Sequence, residues 1–191
     1  MPHATRWPVT RTTWRLVRSL AMGAALSGAV LLAQGSAVTR ETVPGISNLA
    51  RVETTVACAG ATTPEAMAAI KRMGFAAVIN LRLATENGAD VDAETTSAKA
   101  AGLRYVHLPF SATDPDPAVV DRFLAAIVEP ANQPALIHCA SGVRAAMMWM
   151  IKRVQIDRWD VEKAADEAAA LGLTSPRFKQ FALDYLQAHP R

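Results

Sequence analysis

Cysteine, histidine and tyrosine are scarce in this chain, whose 191 residues include 2 Cys, 4 His and 2 Tyr. The two cysteines, Cys58 and Cys139, and the four histidines fall into no zinc-ligand spacing, so no metal site and no cofactor is expected. Internal repeats and low-complexity tracts are also missing, which excludes solenoids and disordered arrays. A surplus of one charge is missing as well, once the formal +3 is divided along the chain. Four of the 20 basic residues (Arg6, Arg11, Arg15, Arg18) lie within residues 1–37, which hold no acid, leaving 16 bases against 17 acids in the rest. A nearly neutral body offers no clustered basic face, so nucleic acid is not an expected partner.

Long apolar runs are absent too. The longest candidate, Leu20 to Ala33, has about 14 residues, short of the roughly 20 needed to cross a bilayer. It follows the arginines and precedes the small residues Gly35-Ser36-Ala37, the order of a secretory signal with cleavage after Ala37. Residues 1–37 are therefore expected to be a signal peptide and residues 38–191 a single domain, exported to the periplasm or secreted. An uncleaved anchor holding the domain outside the cytoplasm is the alternative, and cleavage would leave no stable membrane span. No adjacent arginine pair precedes the run, so a twin-arginine signal is not expected. Export would favour a Cys58–Cys139 disulfide, structural or as a reversible guard, and that stays open beside two free thiols. Oligomeric state is left undetermined.

What the chain does have is 51% hydrophobic residues, enough for one core, and an alternation of short apolar runs with helical patterns. That alternation predicts an α/β fold with a small, mostly parallel central sheet flanked by helices. Arg51 to Cys58 reads as an edge strand, and Thr63-Pro64 opens a helix that Gly74 stops. Phe75 to Leu81 reads as a buried strand, Ala84 to Val91 as a polar loop, and Asp92 to Ala101 as a helix. Leu103 to Leu108 is a further strand. Two Asp-Pro steps shape Ser111 to Pro117 into an exposed loop, and Asp116 caps a helix to Val128. Ala135 to His138 is a short buried strand. Helices follow from Arg144 to Val154, from Asp160 to Leu171, and after Ser175-Pro176.

The chemistry lies between strand and helix, in His138-Cys139-Ala140-Ser141-Gly142-Val143-Arg144. Backbone N–H groups at a helix start have no intrahelical acceptors and can converge on an anion. Gly142 permits the tight turn. The planar guanidinium of Arg144 can hold two oxygens at once. Cys139 at the centre is expected to be stabilised as the thiolate, as cysteines at helix N-termini are. Cys139 is thus the candidate nucleophile, Arg144 the anion clamp, and Ala140, Ser141, Gly142 and Val143 the binding loop. His138 is expected to point into the fold and tune the loop through a hydrogen bond. Arg82 is expected to pair with Glu86 at the surface, Met147 to Met150 to be core, and Trp159 and Phe178 to pack helices.

The loop resembles the signature of the protein tyrosine and dual-specificity phosphatase superfamily. The segments Gly74 to Arg82, Leu103 to Pro109 and Ala164 to Gly172 are similar as well. The nearest resemblance, over roughly residues 43–171, is to the phosphatase-like domain of beta-lactamase-hydrolase-like proteins. It implies a cysteine-phosphatase-like fold and hydrolysis of phosphate monoesters through a Cys-phosphate intermediate, with a phosphorylated or other oxyanion substrate. Two features depart from the superfamily pattern. Four residues separate Cys139 from Arg144 where five are typical, a spacing similar to that of the phosphatase-like domain family just named and also to that of rhodanese sulfurtransferases, whose cysteine carries a persulfide. The general acid expected three residues after Pro109 is replaced by Ala112, which leaves Asp114 as the candidate acid. A sulfurtransferase using a Cys139 persulfide, or a catalytically weak anion-binding domain, are the alternatives.

Overall fold

The apolar runs from Val38 onward assemble into a six-stranded sheet in a computed structural model, which describes residues 38–190 together with Met1 and His3. The leader expectation lies outside the described residues. The chain divides into two units, Met1–Ala33 and Gln34–Arg191, and the second carries the elements found among the described residues. These are β1 (Val38–Val43), β2 (Ile46–Val52), β3 (Val56–Ala59), α1 (Met67–Arg72), β4 (Ala77–Asn80), α2 (Val91–Ala100) and β5 (Arg104–His107). They continue with α3 (Pro117–Val128), β6 (Ala135–His138), α4 (Val143–Gln155), α5 (Val161–Leu171) and α6 (Pro176–Ala188). Among the described residues no helix is long and apolar enough to cross a membrane.

The sheet order is β1-β2-β3-β6-β4-β5. The pairs β3–β6, β6–β4 and β4–β5 are parallel, and β1–β2 and β2–β3 antiparallel, giving the α/β, mostly parallel sheet that the alternation predicts. The parallel strands β3, β4 and β6 are buried along their whole length, because helices cover both faces. Side-chain alternation sorts them between two cores. Val78 and Leu136 join α1 and α2 on one face, while Ile79, Ala135 and Ile137 join α3 to α6 on the other. The Met147-Met148-Trp149-Met150 run is fully within the second core, as expected.

The N-terminal strands depart from expectation. Arg51 to Cys58 is not one edge strand; it holds the end of β2, a turn at residues 53–55 and most of β3, and the edge is β1. The turn has no Gly, Pro or Asn to announce it, and Glu53 takes the left-handed conformation at φ 56°, an uncommon choice for a non-glycine residue. The helix expected at Thr63 begins as a 3-10 turn, Pro64–Ala66, and the Thr63 side chain makes no capping bond. Elsewhere the signals hold. Asp116 Oδ1 accepts from the Ala118 N–H at 2.9 Å, Ser175 Oγ from the Phe178 N–H at 3.4 Å, and Gly172 closes α5 at φ 115°.

Candidate active site

In parallel sheets, binding sites form beyond the carboxyl ends of the strands. Here the central strand β6 ends at His138 between Ala59 of β3 and Asn80 of β4, and the next residue is Cys139. Cys139 is 1% exposed, and its sulfur accepts the Gly142 N–H at 3.1 Å. Gly142, at φ 97°, is the N-cap of α4, and its left-handed geometry turns the chain sharply enough to bring that amide back over the sulfur.

Two anchors from the β2–β3 region orient the loop. The Ala61 N–H donates to Ala140 O at 3.0 Å, and Asn48 Nδ2 donates to Ser141 O at 3.1 Å. In a planar trans peptide the carbonyl and the following N–H point in opposite directions. Tying down these two carbonyls therefore turns the Ser141 and Gly142 N–H groups inward, and the Gly142 contact to sulfur is the visible result. Gly60 is needed for this approach, since a Cβ there would collide with the Ser47 hydroxyl and lie 3.2 Å from Ala140 O. The amides of Val143 and Arg144 are the first of α4 and have no intrahelical acceptor.

Arg144 is buried at 5% exposure and held on one side. Its Nη1 donates to Glu86 Oε1 at 2.6 Å, Phe110 O at 2.8 Å and Leu81 O at 3.1 Å, and its Nη2 to Glu86 Oε2 at 2.7 Å. Burial opposes the guanidinium charge, but Glu86, helped by the nearby Cys139 sulfur, more than offsets it and raises the Arg144 pKa. Partial burial likewise opposes ionisation of Glu86, yet hydrogen bonds from Arg144 and the Leu83 N–H hold its carboxyl below the usual carboxylate range. Arg82 pairs with Glu86 as expected, its Nε donating to Oε2, but in the interior rather than at the surface. It is 3% exposed, stands 3.5 Å from Glu86 Oε2, and donates chiefly to Asn87 O at 2.6 Å and Gly88 O at 3.0 Å. It thus fixes the loop that presents Glu86.

Behind the loop His138 is fully buried, with Nε2 3.3 Å from Glu94 Oε2. Neither ring nitrogen meets a hydrogen-bond partner, so the expected hydrogen bond to the loop is not seen. Glu94 is also buried and accepts from Tyr105 Oη at 2.6 Å and Asn80 Nδ2 at 3.1 Å. Asn80 Oδ1 in turn takes the Arg82 N–H at 2.7 Å, which stiffens the end of β4.

A cleft of about 360 Å³ opens over the loop, lined by Ala140, Ser141, Val143 and Arg144 on one side and Leu83, Glu86, Ser111 to Thr113 and Phe178 on the other. Asp114 is exposed and outside this lining; its N–H donates to Ser111 Oγ at 3.0 Å, so the turn presents Ser111, Ala112 and Thr113 instead. Cys58 and Cys139 are both free thiols. Complete burial pushes the Cys58 thiol up, with a further push from Cys139, which makes Cys58 a poor attacking thiol. Asn48, Gly60, Glu86 and Phe178 are the site residues that sequence reasoning did not assign. Only the Arg82-x3-Glu86 spacing gave any hint of them.

The family described as beta-lactamase hydrolase-like protein, phosphatase-like domain, matches residues 48–156. Beta-lactamase hydrolase-like proteins of two Xylella fastidiosa strains are each 36% identical over 103 residues, 53% of this chain and 23% of theirs. The match thus spans under a quarter of those proteins. Among solved structures, a candidate phosphatase (DUF442) from Shewanella putrefaciens CN-32 superposes with TM-score 0.65 at 21% identity, covering 77% of this chain and 96% of that one. TpbA of P. aeruginosa superposes with TM-score 0.61 at 21% identity (83% and 92% covered). The catalytic core of the PP-IP phosphatase SIW14 of S. cerevisiae does so with 0.60 at 19% (74% and 87%). The chain shares its fold with these structures and, matching the family model over more than half of its length, belongs to the phosphatase-like domain family of beta-lactamase hydrolase-like proteins.

Proposed function

We propose that the protein is a cysteine-dependent hydrolase of phosphate monoesters. The observation that carries this reading is the convergence at one loop of the Cys139 sulfur, the Gly142 N–H at 3.1 Å and a guanidinium whose Nη1 is fully engaged by Leu81 O, Phe110 O and Glu86. The Nε–H and one Nη2 hydrogen of Arg144 are left to face the anion. The Cys139 thiolate attacks phosphorus, an S–P bond forms and the P–O bond breaks, and the departing oxygen takes a proton. Water then attacks phosphorus, the S–P bond breaks, and inorganic phosphate leaves with the thiolate restored. The loop amides of residues 140–144 and Arg144 stabilise charge on the equatorial oxygens throughout.

Asp114 is the candidate donor of the proton, but in the observed loop conformation its carboxylate stands outside the cleft lining. Positioned general acids are worth about 10² to 10⁴ in rate. Asp114→Asn is therefore expected to cost less than about 10-fold on p-nitrophenyl phosphate, whose leaving group needs little help. A loss beyond about 10²-fold would restore Asp114 as the acid. TpbA has been solved in complex with pTyr and SIW14 is described as a PP-IP phosphatase, so related folds serve quite different phosphorylated groups.

A second reading, sulfur transfer through a Cys139 persulfide, is favoured by the four-residue spacing and by the cleft lining, whose one carboxylate, Glu86, is committed to Arg144. Purified protein given an aryl phosphate, and separately thiosulfate with cyanide, decides between them. Phosphate release that Cys139→Ser abolishes supports the hydrolase, and Cys139-dependent thiocyanate supports sulfur transfer. Anion binding through Arg144 with neither turnover leaves a binding domain. We further propose export directed by residues 1–37; the N-terminal mass of the protein recovered outside the cytoplasm tests it, with cleavage after Ala37 expected.

A further inference from the structure

The cleft has two unlike ends. Its anion end is the loop with Arg144, and its only other charged lining residue is Glu86, which closes a bidentate pair on that same arginine. Its apolar lining is Leu83, Ala112 and Phe178, with Val143 beside the loop. A substrate carrying several phosphates would place its extra charge against apolar carbon within the described lining, since Arg177, the cation at the rim, is outside that lining and donates to Thr113 O.

Phe178 is the large member of that apolar lining, and it comes from α6, beyond the family-matched residues 48–156. It is half-buried, and its ring packs on Phe110, with centroids 6.3 Å apart. Phe110 is itself buried and gives its carbonyl to Arg144 Nη1 at 2.8 Å. The ring is therefore set at a fixed place relative to the guanidinium by a single intervening residue. The preceding residue, Arg177, donates to Thr113 O at 2.9 Å and ties the same helix to the Ser111–Thr113 wall.

We infer that Phe178 is a specificity-determining residue, which selects substrates bearing one phosphate on an aromatic or similarly flat apolar group. The inference rests on the phosphate-ester reading for its chemistry but on the cleft alone for its geometry. The test is the ratio of affinities for phenylphosphonate and methylphosphonate, two stable ligands with the same anionic head, measured by calorimetry on the full chain and on Phe178→Ala, Phe178→Leu and Phe178→Tyr. The unaltered protein is expected to prefer phenylphosphonate by about 10-fold, the order of one good aromatic contact. Phe178→Ala and Phe178→Leu should reduce the preference to about 2- to 3-fold, and Phe178→Tyr should keep it. The leucine variant retains bulk in the Phe110 contact and decides the matter if circular dichroism shows the alanine variant unfolded. An unchanged preference in a folded leucine variant, or no preference in the unaltered protein, overturns the inference. Failure to hydrolyse phenyl phosphate with the phosphonate preference intact would instead overturn the phosphatase chemistry and leave the assignment of Phe178 standing.

Discussion

Helix α4 carries a buried arginine near each end, and the two are used in opposite ways. Arg153, in the last turn, is engaged through all three of its nitrogens. Its Nε donates to Glu167 Oε1 at 2.7 Å, its Nη1 to Asp157 Oδ2 at 2.9 Å, and its Nη2 to Glu53 Oε1 at 2.6 Å and Glu167 Oε2 at 3.2 Å. The guanidinium also lies over the rings of Trp149 and Trp159 at 4.6 and 4.1 Å. Arg144, in the first turn, is held along one edge by Glu86 and two carbonyls while its other edge faces the cleft. Both are almost inaccessible to solvent, so burial alone does not separate a clamp from a structural rivet; the unfilled donors do. A cation engaged through all three nitrogens within the fold contributes to folding, whereas one whose Nε meets no acceptor among the described residues of the fold and which lines a cleft keeps donors for a ligand.

Exchanging each arginine separates these roles. Arg144→Lys keeps the charge but loses the planar fork, and kcat/KM on an aryl phosphate is expected to fall by about 10² to 10³-fold, the range for losing a transition-state donor, with a modest change in unfolding free energy. Arg153→Met should do the reverse. Breaking a buried ion pair from one side costs about 3 to 5 kcal/mol. The lower end is expected because the side chains of Glu53 and Asp157 keep 43% and 23% exposure and can rehydrate. Urea unfolding checks this, with kcat/KM of the folded fraction staying within about threefold. If Arg153→Met destroyed activity without destabilising the fold, the contrast between the two ends of α4 would be false.

The parts of this arrangement that are local in sequence are the parts that can be read from it. The β6–loop–α4 unit, its glycine turn and its two functional residues lie within 138–144, and the Asp116, Gly172 and Ser175 signals are equally local. What stays hidden is whatever depends on distant pairing. Glu86 meets Arg144 across 58 residues, Asn48 meets Ser141 across 93, and a glutamate in a polar loop carries no mark of its partner. Phe178 reads as helix packing, and it does pack, but the same ring also faces the cleft. The β2–β3 hairpin was unreadable for another reason: its turn is made by Glu53-Thr54-Thr55, residues common in strands or on surfaces.

Glu86 sharpens the comparison next. With Glu86→Gln the guanidinium keeps Leu81 O and Phe110 O but loses its charged partner, so Arg144 is held less firmly. A fall in kcat/KM of about 10-fold is expected, smaller than for Arg144→Lys. The fall should appear in kcat as much as in KM if the pair aligns the clamp for the transition state. A variant as active as the unaltered protein would show that the two carbonyls suffice.

The smallest effect is on stability against pH, and its sign follows from Glu86. The folded state lowers its pKa relative to an unfolded value near the ordinary glutamate value of about 4.3. The unfolded chain therefore binds the proton first as pH falls. The stabilisation is complete above the unfolded pKa and drains away as pH drops through the lower folded value. Arg144 stays charged across this window, so protonating Glu86 removes one side of the pair and leaves a buried cation with carbonyl partners only. The side chains are 6% and 23% exposed, which keeps the effect to about 1 kcal/mol. Urea midpoints of the unaltered protein and Glu86→Gln are expected to differ at neutral pH and to converge below about pH 4. The Arg153 cluster is present in both proteins, and its own acid sensitivity cancels in the difference. Parallel curves down to that pH would mean that Glu86 positions Arg144 without stabilising the fold, and the front of α4 would then be a pure ligand site with its energetics supplied wholly by the anion.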